Sequence, residues 1–292
     1  MTDTLEDHEG TVSNGSRTIT NLRFADNIDG LAGEEEELAK LFERLNKAST
    51  AYGKEISAEK TKLMTNNISG INTEMNANGQ KLETVTSCKC LGSAMTDEGS
   101  KPEILSRIAQ TAAALTRLKP AWNNNRSISL SSKIRLMRSL FTSIFLHACE
   151  SWTLTAELQR RIQAMEMRCY RKIIRISYKD HVTNDEVRAK IQQAIGPHED
   201  LLTIVKRCKL QWYGHVSSSS GLAKTILQST VKEGRRQGGQ KKRWVDNIRK
   251  WTGLEFAKSQ RAVENRGKME RAGCEIICGA PMTLRVKEEM RG

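Results

Sequence analysis

Ser100-Lys101-Pro102-Glu103-Ile104-Leu105 is where this chain changes character. Ser first, Pro in the first turn and Glu three residues after the Ser make a capping-box pattern. Ile104, Leu105, Ile108, Ala112 and Leu115 continue it as one apolar helical face. Downstream the helical period persists. Ile134, Met137, Phe141, Ile144 and Phe145 predict a helix from Ser131 to about Cys149, and Leu158, Ile162, Met165, Cys169 and Ile173 predict another from near Thr155. Thr183-x-x-Glu186 is a second capping box, opening a short helix that Gly196-Pro197 ends. A further helix is expected from about Glu199 to Trp212. Ser217–Gly221 reads as a flexible joint, Gly234–Gln240 as irregular chain, and Lys241–Trp251 as an amphipathic helix with Trp244, Ile248 and Trp251 inward.

Upstream of Ser100 the pattern is mixed. Leu38, Leu41, Phe42 and Leu45 fall on one helical face that starts in Glu34–Glu37 and has ended by Gly53. The acidic run suits the positive end of that helix better than it suits a metal. Lys62–Met64 and Met75–Thr86 read as strands, with Asn78-Gly79 as a two-residue hairpin turn. Cys88–Met95 is a further extended piece, interrupted at Gly92. The expected fold class is therefore α+β: short antiparallel strands plus a helix over 1–99, then a mostly α-helical region over 100–216. A basic linker and Trp-rich helix follow over 217–266, and a disordered tail over 267–292.

Charge divides the chain in the same way. The 292 residues carry a net +13, yet residues 1–100 hold 10 basic and 17 acidic side chains, and residues 201–250 hold 12 basic and two acidic. A single-sign field of this kind favours a polyanion, and nucleic acid is the commonest one in a cell. A solvated basic surface is the plainer alternative. No apolar run approaches the roughly 18 residues of a membrane span. Asp3, Glu6, Asp7 and Glu9 make the start unlike a secretory leader. Seven dispersed cysteines lack a disulfide framework, and neither Cys88-x-Cys90 nor Cys274-x3-Cys278 has the second pair a zinc site needs, so free thiols in an intracellular setting, nuclear or cytoplasmic, are expected.

The residues that carry chemistry lie in Leu22-Arg23-Phe24-Ala25-Asp26-Asn27-Ile28. An Asp in a tight turn is ordinarily turn chemistry. The tetrapeptide Phe24-Ala25-Asp26-Asn27, at a hairpin before a helix, nevertheless resembles the aromatic-Ala-Asp-Asp palm signature of reverse transcriptases. Tyr52-Gly53 and Ile56-Ser57-Ala58-Glu59-Lys60-Thr61 resemble the next palm motif of the non-LTR (LINE-type) retrotransposon enzymes. Cys88-Lys89-Cys90-Leu91-Gly92 resembles their primer grip, with Cys in place of both aromatics. Ala148–Trp152, Gln211–Val216 and Gly234-Arg235-Arg236…Lys242-Arg243-Trp244 fit the region after the polymerase in the same order. The likeness spans about residues 10–266.

The resemblance implies an RNA-directed DNA polymerase using Mg²⁺ and deoxynucleotides, in which clustered carboxylates hold two metal ions about 3.5–4 Å apart. It implies Asp26 as metal ligand, Asn27 as a degenerate second position, and Lys60 near the polyphosphate or as proton donor. Cys88, Cys90, Leu91 and Gly92 would be the primer-grip relic, and Arg235, Arg236, Lys241, Lys242 and Arg243 phosphate contacts. Trp244 would stack on a base or pack in the core, and its face shared with Ile248 and Trp251 favours the core. Only 23 residues precede Phe24, so the family's upstream palm Asp is expected to be missing, and Asn27 removes a second charge. The chain is therefore expected to bind RNA or DNA without polymerising alone; whether it associates with a full-length retrotransposon polymerase is left open by the sequence. A non-catalytic basic binding module and a product of a decayed element are the alternatives. Shifting the frame by one nucleotide turns Met269-Glu270 into Trp after Lys or Arg, which makes Gly267–Gly292 read as a frameshifted tail.

Overall fold

The computed structural model describes residues 13–14, 17–25, 27–65, 75–77, 79–96, 98–123, 128–219, 221–228 and 242–253. Asp26, Asn78, Arg235, Arg236, Lys241 and the tail 267–292 lie outside the described residues. The fold is α+β and divides into two compact units. Met1–Cys90, Ala94–Asp97 and Ser219–Gly239 form the first; Leu91–Ser93, Glu98–Ser218 and Gln240–Gly292 form the second.

In the first unit the strands come in pairs. β1 (Ser13–Asn14) and β2 (Arg17–Thr18) are antiparallel, as are β3 (Asn21–Phe24) and β4 (Asn27–Gly30). α1 (Glu35–Ala51) follows, with Glu35, Glu36 and Glu37 in its first turn, where the helix dipole favours them. Glu37 also reaches back to accept from the Gly33 amide at 3.2 Å. The apolar face works as its period predicts: Leu41 is buried, and Leu38 and Phe42 pack on buried Leu63, Met75 and Leu82. β4 comes so close to α1 that a Cβ on Gly30 would sit 3.3 Å from Leu41. β5 (Lys62–Leu63) pairs in parallel with β8 (Glu83–Thr84), braced by a Lys62–Glu83 ion pair. Between them, β6 (Asn76–Ala77) and β7 (Gln80–Lys81) pair so that Ala77 faces Gln80, the register of a two-residue turn. β9 (Ser87–Cys90) pairs with β10 (Ser93–Thr96).

The second unit is helical. α2 (Lys101–Arg117), α3 (Lys119–Asn123) and α4 (Leu130–Leu140) lead to α5 (Ala156–Ile174), α6 (Asn184–Ile195) and α7 (Leu201–Ser218). After α8 (Leu222–Gln228), which clusters with the first unit, α9 (Trp244–Thr252) completes it. One apolar cluster runs through the helices, including Ile104, Ile134, Met137, Phe145, Trp152, Ile162, Val187 and Val205. The five inward residues expected of α5 are all buried. Thr155 caps α5 by accepting from Leu158, and Thr183 and Glu186 exchange both bonds of the capping box at α6.

Three expectations are corrected. Ser100 precedes α2 but forms no capping box: its backbone is helical, and its hydroxyl accepts from the Thr153 amide at 2.8 Å. Glu103, its intended partner, is buried and binds Arg107 instead at 2.6 Å. The single helix expected from Ser131 to Cys149 stops at Leu140 and passes into a π-helical turn, Phe141–Phe145, closed by Leu146 N–H donating to the Phe141 carbonyl. Thr142 and Ser143 hydroxyls bond the carbonyls of Arg138 and Leu140, competing with the ladder there, and Ala148 (φ 56°) then leaves the helix altogether. Conversely, α7 runs past Trp212 through Ser218, because buried Tyr213 and Val216 extend its apolar face. Ser217 and Ser218 are thus helical, not joint.

Candidate functional site

In the first unit, β3 and β4 are joined by a two-residue turn: Phe24 pairs with Asn27, and Ala25 takes the left-handed conformation (φ 52°) such turns require. Phe24 is 64% exposed. Alternation along the strand puts Asn27 and Asp29 on the same face of β4. Asp29 Oδ2 accepts from the Cys90 thiol at 3.4 Å, so the structure brings the β9 cysteine to the strand that follows the tetrapeptide. Burial, with the Asp29 bond and charge, pushes the Cys90 thiol up. Cys88 points to Met64, its sulfur 3.9 Å from the thioether. Leu91 (φ 49°) and Gly92 (φ 82°) make the turn to β10. Lys60 is exposed in the turn before β5 and has no hydrogen-bond or ion-pair partner among the described residues.

A pair of Mg²⁺ ions needs clustered carboxylates. Among the described residues no three His, Cys, Asp or Glu side chains gather into such a group, and Asn27 offers only a neutral amide oxygen. The described donors do not fit two metal ions.

Within the second unit, Arg107 gathers four partners. Besides Glu103, its guanidinium donates to the Gly92 carbonyl at 2.5 Å and to the Ile144 carbonyl at 3.3 Å, and it meets His147 Nδ1 at 3.0 Å. The turn Leu91–Ser93, clustered with this unit, is held by that guanidinium.

The other convergence was not expected. The segments Ala148–Trp152, Gln211–Val216 and Lys242–Trp244, far apart in sequence, meet around the side chain of Lys209, which is fully buried. Lys209 Nζ donates to the Trp152 carbonyl at 2.5 Å and to Asn247 Oδ1 at 3.2 Å, and lies 4.1 Å from the centre of the Trp244 ring. Asn247 also accepts from the Leu154 amide and donates to the Leu154 carbonyl, both at 2.8 Å. Trp244 Nε1 donates to the Glu150 carbonyl, and its ring packs edge-on to Trp212 at 5.2 Å. Trp244 is therefore a packing residue. Lys242 donates to the Leu154 carbonyl at 2.6 Å, while the Arg243 side chain is exposed.

Burial, with the nearby Lys242 charge, pushes the Lys209 amine down to about 6. Beside it lie Cys149, buried, and Cys208, half-buried, whose titrations are linked. Interaction with Cys149, aided by the Arg207 charge, pulls the Cys208 thiol down, while the same interaction and burial push Cys149 up. Reading the sequence for chemistry missed Lys209 and Asn247. The signal was present: a lysine spaced i, i+4 between Val205 and Tyr213, on the apolar face of α7, has no solvent to serve.

The chain is similar to an uncharacterized transposon-derived protein of Caenorhabditis elegans, 29% identical over 245 residues that cover 80% of this chain and 85% of that protein. This is consistent with a transposable-element origin. No protein-family profile and no solved structure matches. Among the described residues, no helix is long and apolar enough to cross a membrane.

Proposed function

We propose that this chain derives from the reverse transcriptase of a non-LTR retrotransposon and works as a nucleic-acid-binding module that does not extend a primer by itself. The observation that carries the reading is the Phe24–Asn27 turn: the resemblance asks for a hairpin there with two acids, and a two-residue hairpin is present with an amide in the second position. The Cys90–Asp29 contact supports it, because it brings the segment that resembles the primer grip to the strand leaving that turn. The likeness to a transposon-derived protein supports the origin. In this reading Asp26 is the remaining metal ligand, Lys60 a phosphate contact, and Cys88–Gly92 the altered primer grip. Arg235, Arg236, Lys241 and Arg243 contact phosphate, with Lys242 shared between that role and the Leu154 carbonyl.

An amide can coordinate a metal through oxygen but adds no negative charge, so two divalent ions facing this turn are under-neutralised. The test is primer extension on an RNA template with Mg²⁺, comparing the chain with Asn27→Asp and Asp26→Ala. No extension by the wild type, together with salt-sensitive binding of the primed template, is expected. Extension that Asp26→Ala abolishes would overturn the non-catalytic part of the reading.

A further inference from the structure

α5 has two faces. Leu158, Ile162, Met165, Cys169 and Ile173 point into the core; Arg161, Arg168, Arg171 and Lys172 fall on other faces, and Arg175 caps the C-terminal end. Arg161 is neutralised by Glu157 at 2.8 Å. The remaining four form no ion pair among the described residues. Three of them are held by neutral acceptors. Arg171 donates to the Val182 carbonyl at 2.7 Å and to Asn184 Oδ1 at 3.0 Å, Lys172 to the Thr116 hydroxyl at 3.1 Å, and Arg175 to the Asn123 carbonyl at 2.6 Å. Such bonds orient a cation without cancelling its charge. Arg168 is exposed and has no hydrogen-bond partner among the described residues.

A groove of about 570 Å³ opens along this surface, lined by Ala164, Met167, Arg168, Arg171, Lys172 and Ile176. Cations in a last helical turn ordinarily answer the helix dipole, but that dipole amounts to about half a charge, and its influence fades within a turn. Arg171, Lys172 and Arg175 already exceed it, and Arg168 lies a further turn back. The groove therefore holds a surplus of positive charge with one guanidinium uncommitted, the arrangement that suits phosphate oxygens.

We propose that this groove is a second nucleic-acid contact, separate from the basic run at 235–243, in which Arg168 binds backbone phosphate directly and Arg171 and Lys172 supply the surrounding field. It rests on the nucleic-acid-binding reading given above. Contacts confined to phosphate carry no sequence information, so the groove sets affinity and salt dependence and not sequence preference.

The experiment is fluorescence anisotropy of the full chain with a labelled 20-nucleotide RNA, over a series of salt concentrations. The chain is compared with Arg168→Glu/Lys172→Glu and with Lys40→Glu, an exposed position on α1. The double variant should bind at least tenfold more weakly near 100 mM salt, with a log–log salt slope shallower by about one to two; Lys40→Glu should stay within about twofold. Arg168→Gln guards against misfolding, since it alters one exposed side chain, and should flatten the slope by about one. Wild-type binding with an unchanged slope in both groove variants would overturn the groove while leaving the nucleic-acid reading intact. Absence of wild-type binding would overturn both.

Discussion

Lys209, in the middle of α7, donates to the main-chain carbonyl of Trp152 across 2.5 Å, with no solvent at either atom's side chain. A buried lysine that ends on a carbonyl, an amide oxygen and a ring face is a tie between segments. Lys209→Ala removes a packed four-carbon stem and leaves the Trp152 carbonyl unsatisfied, so unfolding free energy should fall by about 2–4 kcal/mol. Lys209→Met fills the volume and should lose roughly half as much. Urea unfolding followed by tryptophan fluorescence measures both; equal stability of Lys209→Ala and the wild type would contradict the role.

The same lysine gives stability a pH slope of known sign. Its folded pKa, about 6, lies below the ordinary 10.5, so the stability associated with it is present above 10.5 and lost as pH falls through 6. Glu166 works the other way. It is buried, accepts from Tyr170 and from the Leu201 amide at the start of α7, and burial raises it from 4.5 to about 7. Its contribution is full below 4.5 and is lost as pH rises through 7. Glu166→Gln should therefore gain on the wild type between pH 5 and pH 8 by on the order of 2 kcal/mol. Denaturation series at the two pH values would reveal it, and a difference that does not grow with pH would refute the assignment.

The thiols beside this cluster should react unequally. Cys208, drawn down by its interaction with Cys149 and by Arg207, is half-buried, whereas Cys149 is buried and raised. Of these two, iodoacetamide should modify Cys208 first and at a lower pH than an ordinary thiol requires. Cys149→Ala should move the pH midpoint of that reaction upward, because it removes the interaction that favours the Cys208 thiolate. Peptide mass spectrometry over a pH series distinguishes this from uniform labelling.

Arg107 is the residue whose loss should matter most in the second unit. Arg107→Ala takes the ion-pair partner from the buried Glu103 carboxylate and the donor from the Gly92 carbonyl together, a change expected to cost about 3–5 kcal/mol. Gly92→Ala should be milder, about 1–2 kcal/mol, because φ 82° strains an L-residue and the new Cβ would lie 3.4 Å from the His147 ring. Melting curves of the two variants should rank them in that order.

Local chemistry was legible in the sequence and distant chemistry was not. Thr183 and Glu186 cap α6 as their spacing indicates, because donor and acceptor lie three residues apart. Ser100 carries the same signature, yet its hydroxyl is taken by Thr153, 53 residues on. The reversal at Gly92 could be read from residue type, whereas the turn at Ala25 (φ 52°) was indicated only by the resemblance, since alanine carries no left-handed preference. That Cys90 would meet Asp29 across 61 residues could not, nor could the gathering of three segments around Lys209. Phe141–Phe145 keeps helical periodicity, and only the competition of the Thr142 and Ser143 hydroxyls for ladder carbonyls distinguishes it from α-helix.

The tie between α7 and α9 has a consequence in time. Lys209 and Asn247 are 38 residues apart, so at roughly 5–20 residues per second a ribosome makes the lysine about 2–8 s before its amide partner. During that interval the nascent α7 must leave Lys209 facing water or hold it in an unfinished apolar slot, with Trp212 and Tyr213 lacking the Trp244 ring. The helical unit cannot reach its final form in the order in which it is synthesised; its closing piece arrives late, and any chaperone that meets this chain would find it waiting there.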